Sequence, residues 1–354
     1  MHRLISFFIA ILLFASYSAC SHIGRKYFLY EAVLTVAHTF PVHDAFYPIE
    51  MYVKNNELIL CQTNTPISFP DVFFQAYSLA DYSCQGLFGF KGRGPGEWLL
   101  PQIVGSSLNS PYLYLHEVSS RQPDNVIYKM ILDSTTQLNQ VETFFVKTGP
   151  VFMNRPVING DSLLVFIEYL PEQAIRVHHL NQERPVITWN WGTLPPQQVS
   201  YDENFGTLCA NDSYIVYLYR YQERIDFMDW NLKLKRSLNY QKSKPVIGKD
   251  MMDNVNFYGR SFLGEHFLYT FHFGKSLKES EINDLGTALE VFDLNGTPVC
   301  RYTFPQPRPH IFTVDERTFT LYGFRETENT DDAENYITVY HMPELKEYFQ
   351  KNNL

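Results

Sequence analysis

The chain has 354 residues, which is too many for one ordinary compact domain, so we expect two domains or a repeat architecture. It contains 28 Phe, 24 Tyr and 20 Pro, and only 19% of its residues are charged, a composition typical of a protein rich in strands and turns. The formal net charge is -9 and no run is rich in Lys or Arg, which argues against a nucleic-acid partner.

The first twenty residues have the pattern of an export signal. Arg3 precedes an apolar run at residues 4–15, and small residues then lead to Cys20. The run is shorter than the roughly 20 residues that span a bilayer, which favours a cleaved signal peptide over a permanent helix. We therefore divide the chain into a signal peptide at residues 1–19 and a single mature domain at residues 20–354.

The end of this signal, "SYSAC", resembles the lipobox of bacterial lipoproteins, although Tyr17 stands where an aliphatic residue is usual. In a lipobox the cysteine is acylated and becomes the mature N-terminus, so the resemblance predicts a lipid anchor at Cys20. The alternative is an ordinary cleavage after Ala19 that leaves a plain thiol. Ser21 follows and no acidic cluster is near, which by lipoprotein sorting rules implies an outer-membrane lipoprotein that faces the periplasm.

A polar turn followed by four to six aromatic or aliphatic residues recurs six times along the chain. The first apolar residues of these segments are Leu58, Tyr112, Leu163, Tyr214, Phe267 and Phe319. Their spacing stays between 51 and 54 residues throughout. A second segment with alternating apolar and polar residues follows each one, as in "VIYKMILDS", and predicts a strand with one face less deeply buried.

Six units with four strands each predict an all-β fold, a six-bladed β-propeller of four-stranded antiparallel blades. The first apolar strand of each unit should lie between two packed sheets because both of its faces are apolar. An N-terminal strand around residues 28–38 is expected to pair with the last blade and close the ring. A helix is predicted only for "PELKEYFQKN" near the C-terminus.

A glycine-rich stretch, "KGRGPGEW", follows the first unit. The chain resembles the TolB-like six-bladed propeller lipoproteins of gut Bacteroidetes, which have a Gly-rich GPGE-aromatic segment at this point. The resemblance rests on Cys20, the six-fold period and this stretch, and it covers residues 20–345. It implies no enzymatic activity, since the members are regarded as binding or assembly proteins of the cell envelope. The motif residues here are Gly92, Arg93, Gly94, Pro95, Gly96 and Glu97.

The same stretch has a structural and a chemical interpretation. A phosphate loop requires a Lys-Ser or Lys-Thr pair that leads into a helix, whereas "WLLPQIVGSS" follows here. We therefore predict a tight corner between the first and second blades, with direct ligand contact as the alternative. In this corner the glycines are free to adopt positive φ, Arg93 and Glu97 form an ion pair, and Trp98 anchors the turn in the core.

Two further groups resemble metal ligands but lack the required spacing. The adjacent His178 and His179 should point to opposite faces of a strand and so cannot bind one ion together. The acidic stretch at residues 326–335 lacks the spacing of an EF-hand loop, and a polar hairpin loop is expected instead. We predict no metal site and no cofactor.

Five acidic residues recur just before the apolar segments, and two interpretations are open for them. They can cap turns locally, or they can line the central channel of a calcium-dependent hydrolase of the lactonase or esterase type. We favour the first, and no G-x-S-x-G nucleophile motif is present. The five residues are Glu57, Asp161, Asp212, Glu265 and Glu316.

The aromatic residues and the remaining cysteines are interpreted as core residues. Aromatic side chains can stack on sugars or peptides, but in a propeller most fill the wedge between blades. The cysteines have no disulfide-framework spacing and are expected to be buried thiols. The residues concerned are Trp189, Trp191, Tyr217, Tyr219, Tyr221 and Trp230, and Cys61, Cys84, Cys209 and Cys300.

Together these features predict a lipid-anchored cell-envelope propeller that binds a peptide, protein or glycan without catalysis. Its partners would be the membrane, through the N-terminal lipid, and an envelope ligand on one face of the disc. The first alternative is the calcium-dependent hydrolase with carboxylates in the channel. The second is an assembly component that presents an apolar face to an envelope protein.

Overall fold

A computed structural model gives the architecture of the chain. It describes residues 22–23, 26–42, 48–62, 72–94, 97–107, 110–117, 125–132, 138–146, 153–169, 172–182, 185–193, 203–241, 247–248, 250–282, 287–305, 307–325, 335–352 and 354. The predicted signal peptide and Cys20 lie outside these residues. The described strands form six antiparallel blades of a β-propeller, which confirms the predicted fold class.

Three N-terminal strands precede the blades: β1 (His22–Ile23), β2 (Tyr30–Val33) and β3 (Thr35–Val42). Blade 1 contains β4 (Pro48–Lys54), β5 (Glu57–Gln62), β6 (Val72–Ser78) and β7 (Cys84–Phe90). Blade 2 contains β8 (Pro101–Val104), β9 (Leu113–Glu117), β10 (Asn125–Leu132) and β11 (Leu138–Val146). Blade 3 contains β12 (Asn154–Asn159), β13 (Leu163–Glu168), β14 (Glu172–His179) and β15 (Pro185–Thr193).

Blade 4 contains β16 (Gly206–Ala210), β17 (Ile215–Tyr219), β18 (Arg224–Met228) and β19 (Leu234–Asn239). Blade 5 contains β20 (Val255–Leu263), β21 (Phe267–Ser276), β22 (Ala288–Asp293) and β23 (Pro298–Thr303). Blade 6 contains β24 (Ile311–Asp315), β25 (Thr320–Arg325) and β26 (Asn335–His341), with β3 as its outermost strand.

Two α-helices are described, α1 (Leu277–Ile282) and α2 (Pro343–Asn352), and a 3-10 turn covers Met251–Asp253. Helix α2 matches the predicted C-terminal helix. A membrane-spanning helix would need to be longer and more apolar than any helix in the described part of the chain.

The six repeat segments are the second strands of the six blades. Each has at least four buried residues in succession, and in β17 all five are buried. Leu163 and Phe267 begin their strands, and Leu58 is the second residue of β5. Tyr112, Tyr214 and Phe319 immediately precede theirs. The expectation that both faces of these strands are covered is therefore confirmed.

The third strands are more deeply buried than their alternation predicts. All six residues of β22 are buried, including Glu290 and Asp293. The polar residues at the alternating positions can be buried because neighbouring polar side chains pair with them. The Glu290 carboxylate lies 2.6 Å from the Lys26 ammonium, and the Asp226 carboxylate in β18 accepts hydrogen bonds from Arg224 and Ser237.

The N-terminal strands run along the outer rims of three blades. Strand β3 pairs antiparallel with β26 and closes the ring, as predicted for an N-terminal strand. Residues 30–33, which were predicted to belong to the same closing strand, instead form β2 and pair in parallel with β23 of blade 5. Strand β1 pairs in parallel with β19 of blade 4. These strands cover edges that would otherwise expose unpaired backbone groups.

The hairpins that join the first and second strands of the blades carry hydrogen bonds across all six blade interfaces, and we call this set of contacts the hairpin ring. The bonded pairs, from the interface of blades 1 and 2 onward, are Lys54–Ser107, Lys129–Asp161, Asn159–Asp212, Asn211–Gly264, Phe267–Glu316 and Arg317–Asn56. Each bond ties one blade to its neighbour, so the ring reinforces closure on one face of the disc.

The Glu316 carboxylate holds the interface between blades 5 and 6. It is buried and accepts hydrogen bonds from the backbone N–H groups of Glu265, His266 and Phe267 at 2.7 to 3.1 Å. A Cβ at Gly264 would lie 2.1 Å from Glu316 Oε1, so the carboxylate needs the glycine. Burial raises the pKa of Glu316 to about 7. Its role is structural.

Replacing Glu316 with alanine should therefore destabilise the fold. We expect Glu316→Ala to lower the free energy of unfolding by about 2 to 4 kcal/mol, because three backbone N–H groups lose their acceptor. Glu316→Gln retains an acceptor oxygen and should lower the free energy of unfolding by less. Urea unfolding at pH 7 measures both variants, and Glu142→Ala on the exposed face of β11 is the control, with an expected change within about 0.5 kcal/mol. An equal loss in Glu142→Ala would contradict this role of Glu316.

Candidate functional site

The inner strands of blades 1 to 5 line a cavity of about 290 Å³ in the central channel. Its walls include Glu50, Tyr52, Lys54 and Arg155, and the hairpin residues Asp212 and Glu265 lie at its rim. We call it the hairpin-side cavity because it lies next to the hairpin ring.

An ion pair crosses the channel inside this cavity. Arg155 Nη1 of blade 3 lies 3.3 Å from Glu50 Oε1 of blade 1, and the Tyr52 hydroxyl donates to Glu50 Oε2 at 3.5 Å. Burial raises the pKa of Glu50, while Arg155 and Arg260 oppose that shift. The carboxylate is thus placed between two cations.

All three of these charged residues lie at irregularities of inner strands. The register of β4 against β5 shifts between Pro48 and Glu50, that of β12 shifts around Arg155, and that of β20 shifts around Arg260. Arg155 also has a φ of 52°, in the left-handed region that non-glycine residues rarely adopt. Bulges re-aim side chains and are common beside functional sites, so these three irregularities mark the channel as a candidate site.

A second cavity of about 270 Å³ lies at the beginning of strands β16 and β20. Its wall contains Arg155, Arg220, Arg260 and Arg308, and no Asp or Glu lines it within the described part of the chain. Arg155 lines both cavities, so the two adjoin there. Burial and the neighbouring Arg155 lower the pKa of Arg260 to about 10. We call this second space the arginine-side cavity.

The five acidic candidates do not converge. Asp212 and Glu265 line the hairpin-side cavity, whereas Asp161 and Glu316 are bonded within the hairpin ring. Glu57 begins β5, and burial raises its pKa. Within the described ranges no three His, Cys, Asp or Glu side chains are close enough to hold a metal ion. The structure therefore does not assemble these five carboxylates into the calcium site that the hydrolase alternative requires.

The glycine-rich stretch lies between β7 of blade 1 and β8 of blade 2, and its Pro95 and Gly96 are outside the described residues. Neither Gly92 nor Gly94 has a positive φ. A Cβ at Gly92 would lie 1.8 Å from Glu97 Oε2, so a larger residue there would displace this exposed carboxylate.

The Glu97 carboxylate uses that space to accept a hydrogen bond from the Gly94 N–H at 2.7 Å, and no ion pair joins it to Arg93 in the described structure. Trp98 is buried between blades 1 and 2, with its ring centroid 5.1 Å from that of Tyr128. A structural corner remains our interpretation of the stretch.

The paired histidines have different environments. His178 is buried and stacks on Phe166 with ring centroids 5.3 Å apart, whereas His179 is only partly buried. Burial and the nearby Arg176 lower the pKa of His178 to about 4. The acidic stretch at residues 326–334 lies outside the described residues.

The aromatic candidates pack inside the protein. Tyr217, Tyr219 and Tyr221 are buried, and Trp191 packs on Tyr217 with ring centroids 4.7 Å apart in the core between blades 3 and 4. The described cysteines are free thiols, and Cys61, Cys209 and Cys300 are buried as expected. Cys84 is exposed, which is contrary to expectation, because it begins the outer strand β7 at the rim.

Sequence reasoning missed the charged residues of the channel, although the repeat contains a signal for them. Arg155 lies 105 residues after Glu50, and Arg260 lies 105 residues after Arg155. This spacing is two repeat lengths, so the three residues occupy corresponding places in blades 1, 3 and 5. Aligning the inner strands of the six repeats would have placed them around one axis. The irregular "NRPV" and "YGRS" segments that carry the two arginines mark the bulges.

Comparison with known proteins shows the fold. Neither a protein-family model nor a curated protein sequence matches the chain. A candidate exported protein from Bacteroides fragilis NCTC 9343 is similar in structure, with a TM-score of 0.54 and 11% sequence identity over 88% of this chain and 99% of that one. A member of the DUF4221 family from Bacteroides vulgatus has the same TM-score and 15% identity over 87% of this chain and 97% of its own.

The buried His178 predicts a pH-dependent loss of stability. A histidine whose pKa is lower in the folded chain than its ordinary 6.5 contributes fully above pH 6.5, and the contribution is lost as the pH falls toward 4. We expect this residue to remove about 2 kcal/mol of unfolding free energy between pH 7.5 and pH 5. Urea unfolding at both values should show a smaller decrease in His178→Phe. The same decrease in wild type and variant would disprove this assignment.

Proposed function

We propose that this chain is a lipid-anchored propeller of the cell envelope that binds a peptide, protein or glycan ligand in its central channel and does not transform it. One observation carries the proposal: Glu50, Arg155 and Arg260 are directed into one channel from irregular inner strands of alternate blades. Charged groups that converge in a concave site on a rigid scaffold are typical of ligand recognition.

The polar groups of the hairpin-side cavity are arranged for recognition. Glu50 is engaged by Arg155, and the Lys54 ammonium donates to the backbone carbonyls of Ser107 and Ser110. Burial raises the pKa of the Cys209 thiol to about 12, so this thiol is not an activated nucleophile at neutral pH. These groups can hydrogen-bond a ligand, and none of them is paired with a base as a nucleophile requires.

The proposed envelope location rests on the sequence and on a protein of similar fold. The export signal and the lipobox-like Cys20 predict a lipid anchor, and the TolB-like resemblance implies an envelope role. The fold neighbour from Bacteroides fragilis is itself a candidate exported protein, which agrees with export of this chain. These points support a lipoprotein on the periplasmic side of the outer membrane.

A plug in the channel tests the binding role. Ala210 of β16 lines the hairpin-side cavity and is partly exposed, so Ala210→Trp should fill the space. We would screen the mature chain against neutral and acidic oligosaccharides and short peptides by thermal shift, and measure hits by calorimetry. We expect at least one hit, with affinity reduced about tenfold or more by the plug, as expected when roughly 1.4 kcal/mol of binding is lost.

The matched control is Asn231→Trp, at an exposed turn of the same blade outside the channel. It should bind the hit as the wild type does. A hit whose affinity is unchanged in Ala210→Trp would place binding elsewhere and refute the channel site. Conversion of any panel member into a product by the wild type, lost in Ala210→Trp, would favour the hydrolase alternative.

The lipid anchor has its own test. Expressed with its signal in a Gram-negative host, the wild type should fractionate with membranes and carry an acylated N-terminus. Cys20→Ser should lack the acyl mass and appear in the soluble envelope fraction, because a single cysteine holds the anchor. Mass spectrometry of the N-terminal peptide measures both states. An unmodified thiol at Cys20 in the wild type would instead support simple cleavage after Ala19.

A further inference from the structure

The arginine-side cavity collects four guanidinium groups from separate parts of the ring. Arg155 comes from blade 3, Arg220 follows the second strand of blade 4, Arg260 lies in blade 5, and Arg308 precedes blade 6. Among the described residues that line the cavity none is acidic, although the chain as a whole has a net charge of -9. Like charges at close range are unfavourable unless an anion neutralises them.

Arg220 is held in place by a side chain and two rings. Its Nε donates to Asn256 Oδ1 at 2.5 Å, and the Asn256 amide donates in turn to the Asn254 carbonyl at 2.9 Å. The guanidinium carbon lies 5.7 Å from the centre of the Phe205 ring and 5.8 Å from that of Tyr221. The contact with Asn256 uses Nε, so it orients the group without engaging its terminal nitrogens.

Arg308 is oriented by a stack of aromatic rings. Its guanidinium carbon lies 5.4 Å from the centre of the Phe271 ring and 5.1 Å from that of Phe273. Phe273 packs against the bulge of β20, where a Cβ at Gly259 would lie 2.4 Å from its ring. The glycine beside Arg260 therefore makes room for the ring that supports Arg308.

Arg260 is the least compensated member of the group. It makes no hydrogen bond to another described residue, and no ion pair joins it to one. Glu50 is the carboxylate that favours its charge, and Glu50 already pairs with Arg155. Burial, Arg155 and Arg308 all act against the charged form of Arg260. Among the described residues, therefore, no carboxylate forms an ion pair with the Arg260 guanidinium.

We propose that the arginine-side cavity binds an oxyanion, a carboxylate or phosphate group, on the ligand that occupies the channel. This inference rests on the proposed function and specifies the chemistry of its ligand. Guanidinium groups match both oxyanions because their planar N–H forks form two parallel hydrogen bonds with carboxylate or phosphate oxygens. The fixed orientations of Arg220 and Arg308 prepare the cavity for such contacts before the ligand arrives.

Inorganic phosphate and citrate are suitable probes because they carry the two oxyanions without any further ligand structure. Each probe is titrated into the mature chain by calorimetry, with sodium chloride at equal ionic strength as the reference. At least one probe should bind saturably, and the one that binds more tightly shows whether the cavity prefers phosphate or carboxylate. Arg260→Gln and Arg308→Gln should each weaken it about tenfold or more, since one charged contact is lost. Arg236→Gln, on the exposed side of β19, is the matched control and should stay within about twofold of wild type.

A melting-temperature readout separates recognition from folding. Removing one of several like charges should leave Arg260→Gln at least as stable as the wild type in sodium chloride, with a rise in melting temperature of about 2 °C. The proposal would be overturned if neither anion bound saturably. It would also be overturned if Arg236→Gln weakened anion binding as much as the cavity variants do, or if only variants with a lower melting temperature lost affinity for the anion. If a neutral panel ligand binds in a manner sensitive to Ala210→Trp while both anions fail, the proposed function stands and the oxyanion inference falls.

Discussion

Each blade contains a second strand that is apolar on both faces, and this property requires a neighbouring sheet on each side. A single blade cannot meet that requirement, and an open row of blades would leave two faces bare. Closing the row into a ring satisfies every blade at once. The pairing of β3 with β26 joins the N-terminal chain to the last blade, and the hairpin ring fixes the same six interfaces with hydrogen bonds.

Ring closure also frees the inner strands from the constraints of the core. Their neighbours on one side are second strands, but their other side faces the channel, so regular packing does not dictate their side chains. Bulges and a left-handed Arg155 are tolerated there because the surrounding blades determine the backbone positions. The charged residues of the candidate site therefore sit where the fold is most permissive, and the rigid blades behind them keep them in place.

The repeat pattern made the blades predictable but did not reveal the charged residues of the channel. Apolar second strands such as β17 leave a strong pattern every fifty residues or so, and their number, order and burial follow from it. The inner strands are short and irregular, so periodicity says little about them. Arg155 and Arg260 look like ordinary surface residues until the fold brings them together across 105 residues of sequence.

Other residues have conspicuous local patterns whose meaning differs in the structure. The glycines of "KGRGPGEW" suggested positive φ, but Gly92 and Gly94 do not adopt it. The Glu97 carboxylate instead occupies the space beside Gly92 and accepts a hydrogen bond from the Gly94 N–H, a contact that no propensity encodes. For the acids before the second strands we favoured local turn capping over a channel cluster, and Asp161 and Glu316 have a structural role of another kind, since they are bonded between blades. Local composition identified turns correctly and could not tell which way their side chains point.

The three-fold placement of Glu50, Arg155 and Arg260 has a consequence for charge. One carboxylate can neutralise one of the two guanidinium groups at these positions, and Arg220 and Arg308 add two more cations at the same end of the channel. No described carboxylate forms an ion pair with Arg220 or Arg260, although the protein has a net charge of -9. A hydrophobic replacement would relieve this repulsion without disturbing the blades, since none of the hairpin-ring bonds involves these residues. Stability alone therefore does not account for the cluster, and we infer that it serves the oxyanion proposed above.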